Sequence, residues 1–389
     1  MIEPNDTALR LFEILSASGI EAYAVGGFVR DSLMGAPVHD IDFAVSSFPE
    51  KTAKCLAPYA KIIDTGSKFG TVTAVFEGVP FELTTFRADC GIKDGRHPQS
   101  VSFVRDIASD LSRRDFTVNA MAWSPGKGLV DPFGGREDIA KRLIRCVGQP
   151  SLRFEEDALR ILRALRFASR LGFRIDGETE KALRRNAFRL KTISRERIFS
   201  ELSGIICGKN ACDTVTEYAD AIAVALPELC PEDAFMLKRL PDEPHLRFTA
   251  LFKNTEDAEN GMLSLKSPRK LRERVTALRR LIPLPDDEKA ILMLGIDNPP
   301  EILREAAYWN STGKTADVID RFCMQNAFVS SKNLGISTQK IMEITHENGA
   351  RLGIIIRELC IAVINGECEN SEAGLEKYLQ SHSSHRSTQ

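Results

Sequence analysis

The sequence of 389 residues contains no run of eighteen apolar residues, so it predicts no transmembrane helix. Its N-terminus, MIEPNDTALR, begins acidic and polar and lacks the basic-then-apolar order of a secretion signal. The nine cysteines stand singly, without a C-x-x-C pair, which is typical of reduced thiols rather than of a disulfide framework or a zinc site. We therefore expect a globular, cytoplasmic protein without a membrane partner.

Net charge is also nearly absent, at −2, but the charge is segregated along the chain. Between Lys141 and Ser200 there are 16 lysines and arginines against 7 acids, a local charge of +9, so the rest of the chain carries −11. A positive region in the middle of the chain indicates a polyanionic partner. On charge alone, a solvated helical face is an equally good interpretation.

Strand signals are confined to the first part of the chain. Strands are predicted over 21–25 and 39–45, followed by a hairpin across Glu77-Gly78, and after about residue 150 only helical periodicity remains, over 155–171, 178–190 and 195–206. The predicted fold class is α+β with a mixed sheet followed by an all-α remainder. We divide it into a head (1–145), a neck (146–206), a helical body (207–300) and a helical tail (301–389) whose last residues, SHSSHRSTQ, we expect to be disordered.

A pair of glycines follows the first predicted strand. Gly26 and Gly27 allow a close approach of the backbone to a phosphate, and Arg30 would lie in the first turns of the helix that follows. Most such glycine pairs are only turns. The third glycine of a dinucleotide-binding fingerprint is missing, which excludes that class of site.

Two aspartates lie on the second predicted strand. Because strand side chains alternate, Asp40 and Asp42 project from one face while Ile41 and Phe43 enter the core. Adjacent carboxylates repel each other unless a cation lies between them, and Mg²⁺ prefers oxygen ligands that it shares with substrate phosphates. The alternative is a solvated strand edge. Glu82, on a neighbouring strand, is either a third ligand or an outward-facing polar residue.

Taken in order, the blocks of this sequence resemble one protein family. From about residue 20 to 205 the chain is similar to the class II tRNA nucleotidyltransferases, which are the bacterial CCA-adding enzymes and the related poly(A) polymerases, through GGFVRD, HDIDFAV, FGTVTAVF, FELTTFR, DGRHP, DLSRRDFTVNAMA, DPFGGREDI, RFEEDALRILRALRFA and ISRERIFSEL. The resemblance implies a polymerase-β-like palm for the head. It further implies that Asp40 and Asp42 bind Mg²⁺ for two-metal-ion nucleotidyl transfer, with Gly27 and Arg30 along the triphosphate.

The predicted helix over 155–171 has an apolar stripe and an arginine-rich opposite face. Asp157 and Arg160 are i,i+3 neighbours on it, and by themselves they would be taken as a surface ion pair. The resemblance instead makes them a protein template, because an acid and an arginine together match the amine and acceptor edges of cytosine and adenine but not those of uracil or guanine. It places the remaining nucleotide-binding positions at Arg114, Arg163 and Arg166, with Arg114 on the triphosphate and Asp115 supporting the loop.

The segment from Asp110 to Asn119 is expected to open a helix, and the glycines of 131–138 are expected to form a hinge. The segment 87–98 resembles a loop linked to the switch from C to A addition; its full length argues against an enzyme that adds only CC, although Cys90-Gly-Ile replaces a more polar stretch. None of the six histidines stands where a general base is expected, and His39 is interpreted as structural.

These features predict a Mg²⁺-dependent enzyme that adds CCA to tRNA from CTP and ATP without a nucleic-acid template. A poly(A) polymerase and a partial enzyme that adds only CC or only A are the nearest alternatives. A catalytically silent RNA-binding protein would not need the metal carboxylates, and a nucleotidyltransferase for small molecules would not need the basic neck.

Overall fold

The computed structural model describes residues 2–38, 40–67, 70–92, 98–104, 106–310 and 313–383. The prediction for His39, the part of the 87–98 loop at 93–97, and the last six residues of the expected disordered end lie outside the described residues. The chain forms two compact units: one reaches from the N-terminal residues to Ala234 and includes Ser264–Lys266, and the other consists of Phe235–Leu263 and the chain from Ser267 onward. Head and neck segments therefore belong to the same unit. The four-part division stays a prediction.

A seven-stranded mixed sheet forms the head, in the order β3-β4-β5-β2-β1-β8-β9. Its central strands β1 and β2 are antiparallel to each other, while β2 runs parallel to β5. The α+β class with an N-terminal mixed sheet is confirmed. The strands are β1 (Ala22–Val25), β2 (Asp42–Val45), β3 (Lys61–Gly66), β4 (Thr71–Phe76), β5 (Val79–Thr85), β8 (Ala122–Ser124) and β9 (Gly128–Val130), with a separate two-stranded ribbon of β6 (Arg87–Ile92) and β7 (Pro98–Phe103).

The β4–β5 hairpin turns where the sequence predicted. Glu77 and Gly78 have φ of 51° and 81°, the left-handed pair that a two-residue hairpin turn requires. One face of the sheet buries Phe43 and Phe81, whose rings meet edge to face at 5.7 Å, and Phe12 of the first helix packs on Phe43 at 4.8 Å. This core keeps β2, the strand that carries Asp42, rigid.

The helices of the first unit surround the sheet and continue beyond it. They are α1 (Asp6–Ala17), α2 (Gly27–Leu33), α3 (Pro49–Leu56), α4 (Ile107–Ser112), α5 (Gly135–Ala140), α6 (Pro150–Glu156), α7 (Leu159–Leu171), α8 (Gly177–Asn186), α9 (Arg195–Ile206), α10 (Ala211–Glu217) and α11 (Ala219–Ala225), with 3-10 helices at Thr117–Asn119 and Ala187–Thr192. The predicted bounds of α9 are confirmed.

Three predictions about these elements are wrong. The neck is not all-α, because β10 (Leu143–Ile144) pairs in parallel with β11 (Arg174–Ile175); two-residue strands leave no periodic signal. The helix expected over 155–171 is two helices, since Asp157 has extended backbone, φ −150° and ψ 105°, between α6 and α7. Asp110 does not open a helix: Asp106 caps α4, and Asp110 lies inside it.

The second unit is helical among its described residues. Between the units the chain passes through a 3-10 helix at Pro231–Lys238, and the helices that follow are α12 (Pro244–Thr249), α13 (Thr255–Ser264), α14 (Arg269–Leu281), α15 (Glu288–Asp297), α16 (Pro300–Ala306), α17 (Lys314–Met324), α18 (Thr338–Thr345), α19 (Gly349–Asn365) and α20 (Glu372–Ser383), with a 3-10 turn at Ala307–Trp309. Helix α20 extends into the segment expected to be disordered. No described helix is long and apolar enough to span a bilayer.

Candidate active site

Acidic side chains meet at the start of β2. Asp42 is the first residue of the strand, and the register of β2 with β5 places it directly beside Glu82. Asp40 precedes the strand, and both aspartates are exposed while Ile41 and Phe43 are buried, as the alternation predicted. The carboxylates of Asp42 and Glu82 therefore project from the same face of the sheet.

The electrostatics of this edge favour a bound cation. The pKa of Asp42 lies above its usual range because the cleft partly removes water from the carboxyl and because Glu82 repels its charge, with a smaller contribution from Asp40; Arg114 acts in the opposite direction. Within the described residues, no three acidic, histidine or cysteine side chains enclose a metal position by themselves. This fits Mg²⁺, which keeps one or two protein carboxylates and takes other ligands from substrate phosphates and water.

The glycine turn lies beside these acids. Gly26 has φ 69°, and a Cβ there would lie 3.1 Å from Nη1 of Arg114, so only glycine lets the arginine approach the turn. Helix α2 begins at Gly27 and positions Arg30, whose guanidinium donates to both carboxylate oxygens of Asp31 (2.8 and 2.9 Å) and to Oδ1 of Asn119 (2.6 Å).

A buried aspartate orients the arginines of the α4 end. Asp110 is 1% exposed, and its Oδ1 accepts from Nε and Nη2 of Arg113 while its Oδ2 accepts from Nη2 of Arg114 (3.3 Å). Nε of Arg114 is buried without a hydrogen-bond partner among the described atoms. Burial lowers the pKa of Arg114 against the attraction of Asp110, so this guanidinium is poorly solvated and suited to receive an anion.

Asp115 links the head to the neck. Its Oδ2 accepts from Nε of Arg163 (2.8 Å), and its Oδ1 accepts from the Phe116 amide (2.8 Å) and from Nδ2 of Asn119 (3.3 Å). Burial disfavours the charged carboxyl, but Arg163 and these hydrogen bonds outweigh it and lower the pKa of Asp115. Because Asn119 also accepts from Arg30, a continuous chain of contacts joins Arg30 to Arg163.

Asp157 lies in the break between α6 and α7 and is not paired with Arg160. Its Oδ1 accepts from the amide of Leu159 (3.0 Å), and its Oδ2 accepts from Nη2 of Arg197 on α9 (2.6 Å). The surface ion pair that was the alternative interpretation is therefore not formed, because the break turns Asp157 toward α9, and the role of the two residues as a template stays a prediction. Arg197 stands in a block of the resemblance, but its partner is distant in sequence and could not be inferred from spacing.

Arg160 is held by α6 and by the α4 end. It is paired with Glu156 and donates to the carbonyl oxygens of Arg153 (3.2 Å) and Arg113 (3.3 Å). The side chain of Arg160 is only 15% exposed, so its direction is set by these contacts. A guanidinium has five N–H donors, and these three contacts leave some of them for a ligand.

Phe167 on α7 lies at the centre of the arginines. Its ring centroid is 5.4, 5.7 and 4.5 Å from the guanidinium carbons of Arg30, Arg163 and Arg166. Arg166 turns away to Glu201, donating from Nε at 2.6 Å. Sequence reasoning assigned Phe167 no role, since a pattern of apolar residues does not distinguish a core ring from a ring that orients guanidinium groups.

A cleft of about 450 Å³ collects most of these groups. Its lining is Gly26, Gly27, Arg30, Asp42, Arg113, Arg114, Asp115, Asn119, Asp157, Leu159, Arg160, Arg163, Phe167 and Arg197. Of the predicted site residues, Asp40, Glu82 and Arg166 are outside this lining. The lining residues to which sequence reasoning assigned no role are Arg113, Asn119, Leu159, Phe167 and Arg197.

Two family models match the chain. Residues 22–145 match the poly A polymerase head domain, and residues 172–230 match a probable RNA and SrmB-binding site of polymerase A. Both matches lie within the first compact unit.

Some of the similar proteins match nearly the whole chain, and others match only part of it. A CCA-adding enzyme of Geobacillus sp. (strain WCH70) is 34% identical over 97% of this chain and 97% of its own. That of Geobacillus thermodenitrificans is 45% identical over 61% of this chain and 58% of its own. The crystal structure of the Bacillus stearothermophilus CCA-adding enzyme in complex with CTP is 31% identical, covers 100% of this chain and 99% of that one, and superimposes with a TM-score of 0.83.

Proposed function

This chain belongs to the CCA-adding enzymes, and from that premise we propose that it adds C, C and A to the 3′ end of tRNA from CTP and ATP in the cytoplasm. The resemblance stated from the sequence blocks is confirmed by full-length relatives. A nucleotidyltransferase needs a place for a nucleoside triphosphate, and a similar protein has been crystallised with CTP. The rest of the proposal concerns which residues of this chain do the work.

One observation carries the proposal. A single cleft brings the acidic strand end and glycine turn of the head together with Asp157, Arg160 and Arg163 of the neck. The Asp42 carboxylate, several guanidinium groups and the Asp157 carboxylate thus face the same space. Phosphates and a base of one nucleotide would be bound there together.

The carboxylates of Asp40 and Asp42, with Glu82 beside them, are the residues that would hold Mg²⁺. When bound as a pair, such ions lower the pKa of the attacking 3′-hydroxyl and neutralise the triphosphate and the departing pyrophosphate. Asp42 contributes a carboxylate whose charge is repelled by its neighbours, and a cation relieves this repulsion. No side chain has to act as general base in such a transfer.

The triphosphate would lie along the glycine turn. Gly26 and Gly27 leave the backbone open at the edge of the cleft, and Arg30 and Arg114 stand beside it with their directions set by Asp31, Asn119 and Asp110. Guanidinium groups held in this way can bind phosphate oxygens without losing side-chain freedom at that moment.

Asp157 and Arg160 would select the base. Each carboxylate oxygen of Asp157 has one partner, which leaves a lone pair for the exocyclic amine of cytosine or adenine. Arg160 keeps N–H donors for the neighbouring ring nitrogen. Uracil and guanine present a carbonyl where Asp157 needs a donor, so their binding would leave a buried acceptor unpaired, a mismatch that enzymes reject strongly.

Labelled tRNA transcripts that lack CCA test the proposal. With Mg²⁺ present, we expect two additions from CTP alone and one further addition when ATP is supplied as well, followed by a stop. A long adenosine ladder from ATP alone would identify a poly(A) polymerase, and a stop after CC would identify a partial enzyme. If nothing is incorporated but the tRNA is bound, the protein is an RNA-binding protein without this activity.

A further inference from the structure

An exposed phenylalanine stands within a positively charged face of the neck. Phe188 is 60% exposed and lies in the 3-10 helix that continues α8. Arg185 precedes it by three residues and Lys191 follows it by three, and both are exposed. Residues three apart are neighbours at a helix end and eclipse each other in a 3-10 helix, so these three side chains share one face.

The two cations on this face make no direct contact with an acid in the described part of the chain, although Glu178 attracts Arg185 at longer range. In the described part of the chain, neither Arg185 nor Lys191 forms a hydrogen bond or an ion pair with a carboxylate. Glu178, the acid one turn from Lys181 on the same helix, is engaged with that lysine at 2.8 Å. Cations on either side of an exposed ring are the arrangement with which proteins bind the phosphates that flank a stacked base.

A third cation, Arg189, contacts the ring of Phe188. The guanidinium carbon of Arg189 lies 5.2 Å from the ring centroid of Phe188, and the same group donates to Oδ1 of Asn186 (3.0 Å) and to Glu155 (3.3 Å). Glu155 belongs to α6, two residues before Asp157. Arg189 therefore orients the ring and connects it to α6, the helix that ends at the Asp157 break.

We propose that Phe188 is a stacking platform for an unpaired nucleotide of the bound tRNA, with Arg185 and Lys191 contacting the adjacent phosphates. The proposal rests on the proposed function, since the nucleotide would belong to the tRNA whose 3′ end that function extends. Aromatic rings accept any base by its face, which suits an enzyme whose substrates share a single-stranded 3′ end but differ elsewhere. The match to a probable RNA-binding segment over 172–230 covers all three residues.

Binding of two RNA hairpins tests this inference on the full-length protein. One hairpin carries a single unpaired 3′ nucleotide and the other is the same stem with a blunt end; affinity is measured by fluorescence anisotropy at constant salt. Phe188→Ala should weaken binding of the overhanging hairpin about 5- to 20-fold, the usual effect of removing one stacked base contact. Phe188→Trp should bind it as the wild type does. The Kd for CTP, measured by calorimetry, should not change in either variant.

Tyr59→Ala is the matched control, because Tyr59 is 59% exposed on the head and should leave both hairpins unaffected. An unchanged affinity of Phe188→Ala for the overhanging hairpin would refute the platform. An equal loss for both hairpins, or an equal loss in Tyr59→Ala, would also overturn it, because the ring would then not act on the unpaired nucleotide. If the wild type binds neither hairpin nor tRNA, the proposed function fails instead.

Discussion

The acids at the sheet edge of the head and the acids that face the neck helices are arranged on opposite principles. In the head, Asp42 lies beside Glu82 and Asp40, and the nearest arginine only partly offsets their repulsion. The acids that face the neck helices, by contrast, are paired: Asp115, at the border of the head, is bound by Arg163 of α7, and Glu201 of α9 is bound by Arg166. Their charge is thus neutralised within the protein, whereas the carboxylates at the sheet edge keep an unsatisfied negative charge. A binding site for a cation has to be built from carboxylates that the protein itself leaves unsatisfied.

The largest effect on activity is expected at the unpaired carboxylates of the sheet edge. Asp42→Asn keeps the shape of the side chain but removes the charge that would hold Mg²⁺, so incorporation of CMP should fall by at least about 10³-fold. tRNA binding should stay near normal. Single-turnover incorporation and tRNA affinity measure the two quantities, and Glu50→Gln, an exposed acid on α3, serves as control. Loss of both properties would point to a role of Asp42 in folding.

Removing a charge from these paired acids should instead cost stability. Asp115→Asn leaves Arg163 with only Glu201, 3.9 Å away, as an acid partner, and we expect a loss of about 2 to 3 kcal/mol, below the range for fully buried pairs because Arg163 is partly exposed. The pKa of Asp115 is lowered on folding, so its contribution is full above the ordinary carboxyl pKa and is lost as the pH falls through the lowered value.

Urea unfolding at pH 7 and pH 3 checks this prediction. The sequence has two tryptophans, and in a Trp309→Phe background the fluorescence of Trp123 on β8 reports the head. The difference in unfolding free energy between the protein with Asp115 and the Asp115→Asn variant should be smaller at pH 3 than at pH 7. A double-mutant cycle with Arg163→Met isolates the pair. A difference that widens toward acid pH contradicts the assignment.

A smaller effect is expected on base selection. Arg160→Ala removes a donor from the cleft but leaves Asp157 held by Arg197, so discrimination between CTP and UTP should relax by about 10- to 100-fold. The ratio of kcat/KM for the two nucleotides measures it. Arg170→Ala changes an exposed arginine of the same helix outside the cleft and should leave the ratio intact. Unchanged discrimination in Arg160→Ala would refute the template.

The smallest effect is on stability, and it should have the opposite sign to the effect of Asp115→Asn. Because the pKa of Asp42 is raised on folding, its charge opposes folding above that pKa and the penalty disappears when the group is protonated. Asp42→Asn should therefore stabilise the metal-free protein slightly at pH 7.5, by about 1 kcal/mol or less because water screens an exposed carboxylate. Thermal unfolding in EDTA measures this, and a lower Tm in the variant would contradict the comparison.

The parts predicted well from the sequence are those in which neighbours in sequence are neighbours in space. The alternation around Asp40 and Asp42, the Glu77-Gly78 turn and the bounds of α9 all follow from local periodicity or turn geometry. The errors occur where a residue distant in sequence determines the local backbone conformation. A continuous helix through Asp157 is locally reasonable, but Arg197 and the amide of Leu159 hold that residue in an extended break.

The sequence by itself determined the residue types of the site and the face of the strand on which its acids lie, because strand alternation is a local property of the backbone. Only the tertiary structure decided which charges are neutralised. Glu82 reaches Asp42 through strand pairing, Asp115 reaches Arg163 through packing of the head on the neck, and Phe167 gathers arginines from α2 and α7. Charge interactions depend on distance in space, and sequence separation does not measure that distance.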